Sequence, residues 1–346
     1  MSWISTPELV AAVSNAGGIG ILATGPLTPG QTRASIHKIR QNLLDPTTPF
    51  GIGATLLMPG AQENAKVALD ENVPLINVSL GKPDWIVSAA HEYGGKVLAT
   101  VVNTKHGNSA VEAGADALLV TGHEAAAHGG DVTSLVLIPA MRQSFPEIPL
   151  VAAGGFANGK GLHAALALGA DAIAMGSRFA TTAESPLAME TKQAIANPNN
   201  TESDTIYNKN FDGIPARVMR TPAAIKANEK AASVPTVIYR AFMAAKSMNI
   251  PLWKVLPGLM TQWDKMYAVA QFGAATEAIM AATVDGDLDK KGVQFVGQTQ
   301  GLITDLPHVD QLVQRIMEEA ALSSSQLADR FDQANYQGNY DEKSIG

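Results

Sequence analysis

The chain contains no cysteine, which excludes disulfide frameworks, cysteine-ligated zinc, iron–sulfur clusters and thiolate nucleophiles. Charge is sparse: 25 lysines and arginines stand against 32 aspartates and glutamates, a net −7, and 16% of residues are charged against a usual figure of about 25%. No basic run or patch offers itself to nucleic acid. No apolar stretch reaches the ~18 residues needed to cross a bilayer, and the opening Met-Ser-Trp-Ile-Ser-Thr-Pro-Glu lacks the basic start of a signal peptide. A cytoplasmic protein with neither nucleic acid nor membrane as partner is expected. What the chain does have is 46% apolar residues and 31 glycines in 346, a composition for packed α/β structure. At roughly 150 residues per domain, that length allows two domains or one large barrel with an appendage.

Short apolar runs recur at Ile19 to Ala23, Gly51 to Leu56, Leu75 to Leu80, Lys96 to Val101, Ala117 to Thr121, Pro149 to Ala153 and Ala172 to Met175. Helical patterns separate them, such as Leu162, Ala165, Leu166 and Gly169 at i, i+3, i+4 and i+7. Strands alternating with helices predict a parallel sheet, and seven such units approach the eight of a TIM (β/α)8 barrel. The first element is a helix, with Thr6 as N-cap and Pro7 in its first turn, so the first strand of a normal barrel is missing. The edges this leaves are expected to be covered by the segment Met1 to Ser5 or, in a homodimer, by a neighbouring copy. We assign 1–198 to the barrel, completed by a helix over 305–322, and 199–301 to a mainly helical second domain. The polar stretch 323–346 is expected to be a loosely ordered tail.

In such barrels the site lies at the carboxyl ends of the strands, often with phosphate held after the last two. Glycines stand there: Gly154 and Gly155 after one run, Gly176 and Ser177 after the next. Backbone N–H groups without Cβ obstruction, helped by a helix dipole, suit a phosphate; tight turns alone would also use these glycines. After the preceding run comes Thr121-Gly122-His123-Glu124-Ala125-Ala126-Ala127-His128. This is not a zinc-protease helix, because His123 and His128 lie five apart where H-E-x-x-H places its ligands four apart on one face. His128 is read either as a surface histidine or as an acid/base group beside a cofactor. His37, His91, His106, His163 and His308 fall on helices or their ends and read as structural. The glycines of Ser14 to Gly20 lie between a helix and a strand, the reverse of the dinucleotide fingerprint, and suit a helix end and turn. Gly297-Gln298-Thr299-Gln300-Gly301 reads as a pocket-lining or an ordinary loop, and Trp253, Trp263, Tyr267 and Phe272 as core or cleft residues.

Taken in order, Ala11 to Gly20, the loop around Glu124 and His128, Ala152 to Gly161 and Ala170 to Phe179 resemble the nitronate monooxygenase family, formerly 2-nitropropane dioxygenases. The resemblance covers nearly all of residues 1 to 322. It implies an FMN-containing barrel with a helical substrate domain. It also implies that His128 is the catalytic histidine, although the two glycines that precede the family's histidine are Ala126 and Ala127 here. Gly154, Gly155, Gly176 and Ser177 match the FMN phosphate loops, and Thr121 lies where its strand meets the cofactor. The family's asparagine in the strand read here as Gly51-Ile52-Gly53-Ala54 is absent, which removes a flavin contact.

The resemblance therefore implies oxidation of alkyl nitronates, with O2 as co-substrate, to carbonyl compounds and nitrite. The rival enzyme uses NAD(P)H to reduce the same flavin, which then reduces a quinone or an enoyl thioester. A non-catalytic binding protein on a degraded barrel is the rival from another class. Dehydrogenase barrels with a cysteine nucleophile are excluded by composition.

Overall fold

The structure is a computed structural model that describes residues 1–211, 213–229, 235 and 275–341. Seven strands lie in one parallel sheet in chain order: β1 (Ile21–Ala23), β2 (Gly51–Thr55), β3 (Leu75–Ser79), β4 (Lys96–Val101), β5 (Ala117–Thr121), β6 (Leu150–Ala153) and β7 (Ala172–Ala174). Helix α1 (Pro7–Asn15) precedes them, with Thr6 as N-cap and Pro7 in its first turn. Helices α2 (Pro29–Asn42), α3 (Ala61–Asp70), α4 (Asp84–Glu92), α5 (Thr104–Glu112), α6 (Ser134–Ser144) and α7 (Gly159–Ala167) fill the crossovers. Alternate strand residues face these helices: Ile52, Ala54, Ile76 and Val78 pack with Ile36, Ile39, Ala65, Ile86 and Ala90, all essentially sealed from water. Burying each large aliphatic side chain contributes about 1.5–3 kcal/mol, which is why these runs were visible as strands. A second cluster joins Leu118 and Val120 to Leu137, Met141 and Phe145.

The sheet is a curled half-barrel with β1 and β7 as its edges among the described residues. Met1 to Ser5 lies across the rim between them. The Ser5 carbonyl accepts from the Ala23 N–H (3.2 Å), and Met1 Sδ stands 3.4 Å from where a Cβ on Gly176 would be.

After β7 come α8 (Ser177–Ala180) and α9 (Met189–Ile195). The region expected to be mainly helical then contains an antiparallel ribbon, β8 (Thr205–Asn208) paired with β9 (Ala216–Met219). Each strand has four residues, too few to show a period, so the β-branched and aromatic Thr205, Ile206, Tyr207 and Val218 were its only signal. Helix α10 (Pro222–Asn228) follows, and residues 275–283 are helical again. Trp253, Trp263, Tyr267 and Phe272 lie outside the described residues.

The expected loose tail is a correction. Helix α11 runs from Val309 to Asp341 without interruption. Val309, Leu312 and Ile316 bury one face, Glu319 accepts from the Gly159 N–H (2.9 Å), and His163 meets Ser323 (3.0 Å). Beyond that anchor no proline intervenes and no glycine before Gly338, so nothing interrupts the helix that packing starts. No helix among the described residues is long and apolar enough to cross a membrane.

Candidate functional site

The turn after β6 is built by glycine. Gly154 and Gly155 have φ of +88° and +92°, and a Cβ on Gly154 would stand 3.0 Å from both the Ala125 nitrogen and the Gly122 carbonyl oxygen. Pairing of Ala153 with Ala174 sets this turn beside the one after β7, where Gly176 precedes α8. Among the described residues, the N–H groups of Gly155, Gly176 and Ser177 meet no acceptor. The helix dipole expected there is a correction, since α8 is a single turn and offers N–H groups, not an extended dipole. Ser177 Oγ accepts from the Gly297 N–H (2.9 Å), and the Gln298 N–H donates to the Glu124 carbonyl (3.0 Å). The Gly297 loop thus latches the β5 and β7 turns together. Gln300 within it is fully buried, donating through Nε2 to the Asp204 carbonyl (2.5 Å), so it does not line an open pocket.

Thr121 closes β5. It is buried, and its hydroxyl has no hydrogen-bond partner among the described residues, a deficit of about 1–3 kcal/mol. The following loop is fastened from several sides. The Glu124 carboxylate accepts from the Ser134 N–H at the start of α6 (3.0 and 3.1 Å), and the Ser134 hydroxyl donates to the Gly154 carbonyl (2.7 Å). His128 is half-exposed at the seam between this loop and the ribbon. Its Nδ1 is 3.2 Å from the Pro215 carbonyl, which can only accept, and its ring meets Phe295 edge-on with centroids 6.1 Å apart. The residue before it, Ala127, has φ +58°, a left-handed conformation costing an L-residue about 1–2 kcal/mol.

That conformation is held by β9. The Ala127 N–H donates to the Arg217 carbonyl (3.1 Å) and the Arg217 N–H to the Ala127 carbonyl (2.9 Å). The Arg217 side chain is buried; Nη2 donates to the His123 carbonyl and Nη1 to Thr205 Oγ1, both at 2.9 Å. Desolvation pulls its pKa below the ordinary arginine value, with Tyr207 and Glu124 acting in the opposite direction. The Tyr207 hydroxyl donates to the Gly129 carbonyl (3.0 Å), and its ring lies 5.1 Å under the Arg217 guanidinium and 4.6 Å, edge-on, from that of His123.

The concave face carries polar residues that sequence reading missed. Thr55 on β2, Asn77 and Ser79 on β3 and Thr100 on β4 are half-buried on the face opposite the helices. Ser79 Oγ donates to Thr55 Oγ1 (3.1 Å), and Thr100 Oγ1 to Asn77 Oδ1 (3.0 Å). Their signal was the period-two recurrence of polar residues within apolar runs. The strand from which the family asparagine is absent has a carboxamide beside it, because Gly53 pairs with Asn77.

The structure therefore brings Thr121, Gly154, Gly155, Gly176 and Ser177 to one rim, with His128 beyond the β5 loop. His37, His91 and His308 pair with Glu71, Asp116 and Glu184, in line with structural roles. A depression of about 330 Å³ between the end of α1 and the start of α11 contains none of the site residues. No cluster of three or more metal-ligating side chains occurs among the described residues.

The nitronate monooxygenase family matches residues 1–69 and 58–319. The chain belongs to that family. Among its relatives, (3aS,4S,5R,7aS)-5-hydroxy-7a-methyl-1-oxo-octahydro-1H-indene-4-carboxyl-CoA dehydrogenase of Mycobacterium tuberculosis is 30% identical over 334 residues, covering 92% of this chain and 91% of that protein. A probable nitronate monooxygenase of Staphylococcus saprophyticus is 28% identical over 279 residues, 68% of this chain and 78% of that one. FabK from Thermotoga maritima superposes with a TM-score of 0.78 at 34% identity, covering 95% of this chain and 93% of that one. Nitroalkane oxidase from Streptomyces ansochromogenes, at 23% identity and a TM-score of 0.76 over 94% and 95% of the two chains, shares the fold. Membership of the nitronate monooxygenase family makes the protein an enzyme of the flavin oxidoreductase kind.

Proposed function

We propose that the protein binds FMN and oxidises alkyl nitronates with O2 to carbonyl compounds and nitrite. The observation that carries the cofactor assignment is the set of N–H groups of Gly155, Gly176 and Ser177, which meet no acceptor among the described residues on two adjacent turns. Such donors suit a terminal phosphate. The unpartnered Thr121 hydroxyl and the Asn77–Thr100 pair supply polar groups for a heterocycle on the concave face, while Ala153 and Ala174 leave the side near the phosphate turns apolar.

FMN, when bound, supplies the electron-accepting ring that the oxidation requires. The chain's own residues hold and orient. Gly155, Gly176 and Ser177 would hold the phosphate through their N–H groups, and the loop from Thr121 to Gly130, tied to the β6 turn through Ser134, would border it. His128 Nδ1 stands 3.2 Å from the Pro215 carbonyl, a contact that orients the ring, and the imidazole is the group placed to exchange a proton with a nitroalkane or to hydrogen-bond the substrate. A pre-formed nitronate needs no proton removed, so His128 then acts by positioning.

A second reading is favoured by the 30%-identical relative named as a carboxyl-CoA dehydrogenase, matched over nearly the whole chain. That name supports a CoA thioester as ligand, with the thioester as electron donor; on the second reading electrons run the other way, NAD(P)H being the reductant and a thioester or quinone the acceptor. The visible spectrum of the purified protein tests the flavin, and anaerobic stopped-flow mixing tests the reaction. Bleaching by nitronate and not by NAD(P)H is expected; the converse replaces the first reading with the second.

A further inference from the structure

We propose that Arg217 is a positioning residue, which holds the His128 loop in its left-handed turn so that turnover, rather than cofactor binding, depends on it. The inference rests on His128 acting on substrate, as read above. Three points of the loop are gripped from the ribbon, on both sides of His128: His123 through its carbonyl, Ala127 through both backbone groups, and Gly129 through its carbonyl. Arg217 supplies the first through its guanidinium and the second through its main chain, and its guanidinium, which lies against Tyr207, the source of the third anchor, fixes where that stretch of main chain stands. The chain would not hold Ala127 at φ +58° on its own preference, because a methyl group opposes that conformation.

The chemistry of Arg217 argues for a dedicated role. A buried cation is normally matched by a carboxylate, yet none bonds to Arg217 among the described residues, and the Glu124 carboxylate is taken by Ser134. Its guanidinium donates instead to one main-chain carbonyl and one hydroxyl, a directional fork that fixes geometry. The phosphate turns lie on other strands and touch neither Arg217 nor Tyr207.

The test uses the full chain with FMN. Arg217→Met should lower kcat at least tenfold, with KM for propyl-2-nitronate and the Kd for FMN, read by flavin fluorescence, each within about threefold of wild type. Adding Ala127→Gly, which makes the left-handed turn intrinsically acceptable, should restore kcat to within about threefold while most of the loss in Tm persists. A purely structural arginine would make kcat and Tm recover or fail together. Unchanged kcat in Arg217→Met, or a loss that Ala127→Gly leaves unrepaired, overturns the proposal. Should Arg217→Met not fold, Tyr207→Phe removes a single anchor and is read the same way: a severalfold fall in kcat repaired by Ala127→Gly supports the clamp, and an unchanged kcat overturns it. His128→Ala in the same assay separates the two readings. If it turns over like wild type, the role given to His128 fails, and the clamp is then judged by amide hydrogen exchange across residues 122–130. Arg217→Met, or Tyr207→Phe in its place, must accelerate that exchange at least tenfold, and unchanged exchange overturns the clamp as well.

Discussion

The turn after β6 and the loop after β5 both pass through left-handed backbone, by opposite means. At Gly154 and Gly155 the sequence itself permits a φ near +90°; at Ala127 the side chain opposes a φ of +58° and β9 imposes it. The arginines behind the β7 turn and the β5 loop differ in the same sense. Arg178, buried beside Ser177, finds the Asp305 carboxylate at 2.9 Å, and Arg315 shares that carboxylate from α11. Arg217 binds a carbonyl and a hydroxyl. The side of the rim proposed for phosphate therefore owes its left-handed turn to its own glycines, whereas the histidine side takes its shape from a ribbon about 90 residues further along the chain. An assembly of this kind lets the loop that carries His128 change with the second unit while the turns proposed to hold the cofactor keep their shape.

The most severe way to break the contrast is Gly154→Val. A β-branched residue cannot take φ +88°, and its Cβ would press the Ala125 nitrogen and the Gly122 carbonyl at 3.0 Å. A loss of about 3 kcal/mol, seen as a lower midpoint in urea denaturation, is expected. A loss below about 1 kcal/mol would mean that the β6 turn, like the β5 loop, is shaped by its neighbours.

Asp305→Asn probes the carboxylate that Arg178 has and Arg217 lacks. Burial pushes the Asp305 carboxyl up, but hydrogen bonds from Arg315 and the charge of Arg178 outweigh it and hold the group below the usual carboxylate range. A depressed folded-state pKa contributes stability that is present above the unfolded value near 3.9 and lost as pH falls through the folded value. At pH 7 the variant should be less stable by about 2 kcal/mol, discounted from the full cost of an orphaned buried arginine because Asp305 is 42% exposed. Below about pH 4 the two proteins should converge, and melts from pH 7 to pH 3 check both statements.

The barrel side of this comparison was legible in the sequence and the ribbon side was not. All seven strands announced themselves as apolar runs because one face of β1 to β6 is sealed under helices and Ile173 of β7 packs, half-buried, on the same side, and their ends fell within two residues of those observed. That Gly154 and Gly155 would stand beside Gly176 and Ser177 was legible because their strands place them. Arg217 was not, since what singles it out is its contacts with residues 123, 127, 205 and 207, and a lone arginine in a four-residue strand carries no period. Asn77 and Thr100 were hidden for a related reason: each reads as one polar interruption of an apolar run until the sheet sets them side by side.

Gly176→Val sharpens the comparison by separating space from conformation. With φ −89° Gly176 makes no special backbone demand, and a Cβ there would meet only Met1 Sδ, at 3.4 Å. Valine should therefore leave the Tm of the FMN-free protein within about 2 °C while its methyl groups enter the space proposed for the phosphate. FMN affinity should fall at least tenfold, about 1.4 kcal/mol, by equilibrium dialysis. Unchanged flavin content would remove Gly176 from the site.

The smallest effect belongs to Ala127→Gly alone. Glycine relieves a left-handed penalty of about 1 kcal/mol in the folded chain but adds roughly 0.5 kcal/mol of conformational entropy to the unfolded one. The net expectation is a gain of about 0.5 kcal/mol, or one to two degrees in Tm, with kcat within twofold because Arg217 and Tyr207 already hold the turn. The pairing of outcomes carries the argument. A stabilised protein with unchanged kcat is what a strained but fully clamped alanine must give. A large rise in kcat would show that wild-type Ala127 leaves the loop part of the time and that the ribbon's grip is incomplete. A fall in kcat would show that the methyl group itself fixes the approach to His128, moving control of that residue from the ribbon back to the loop's own sequence.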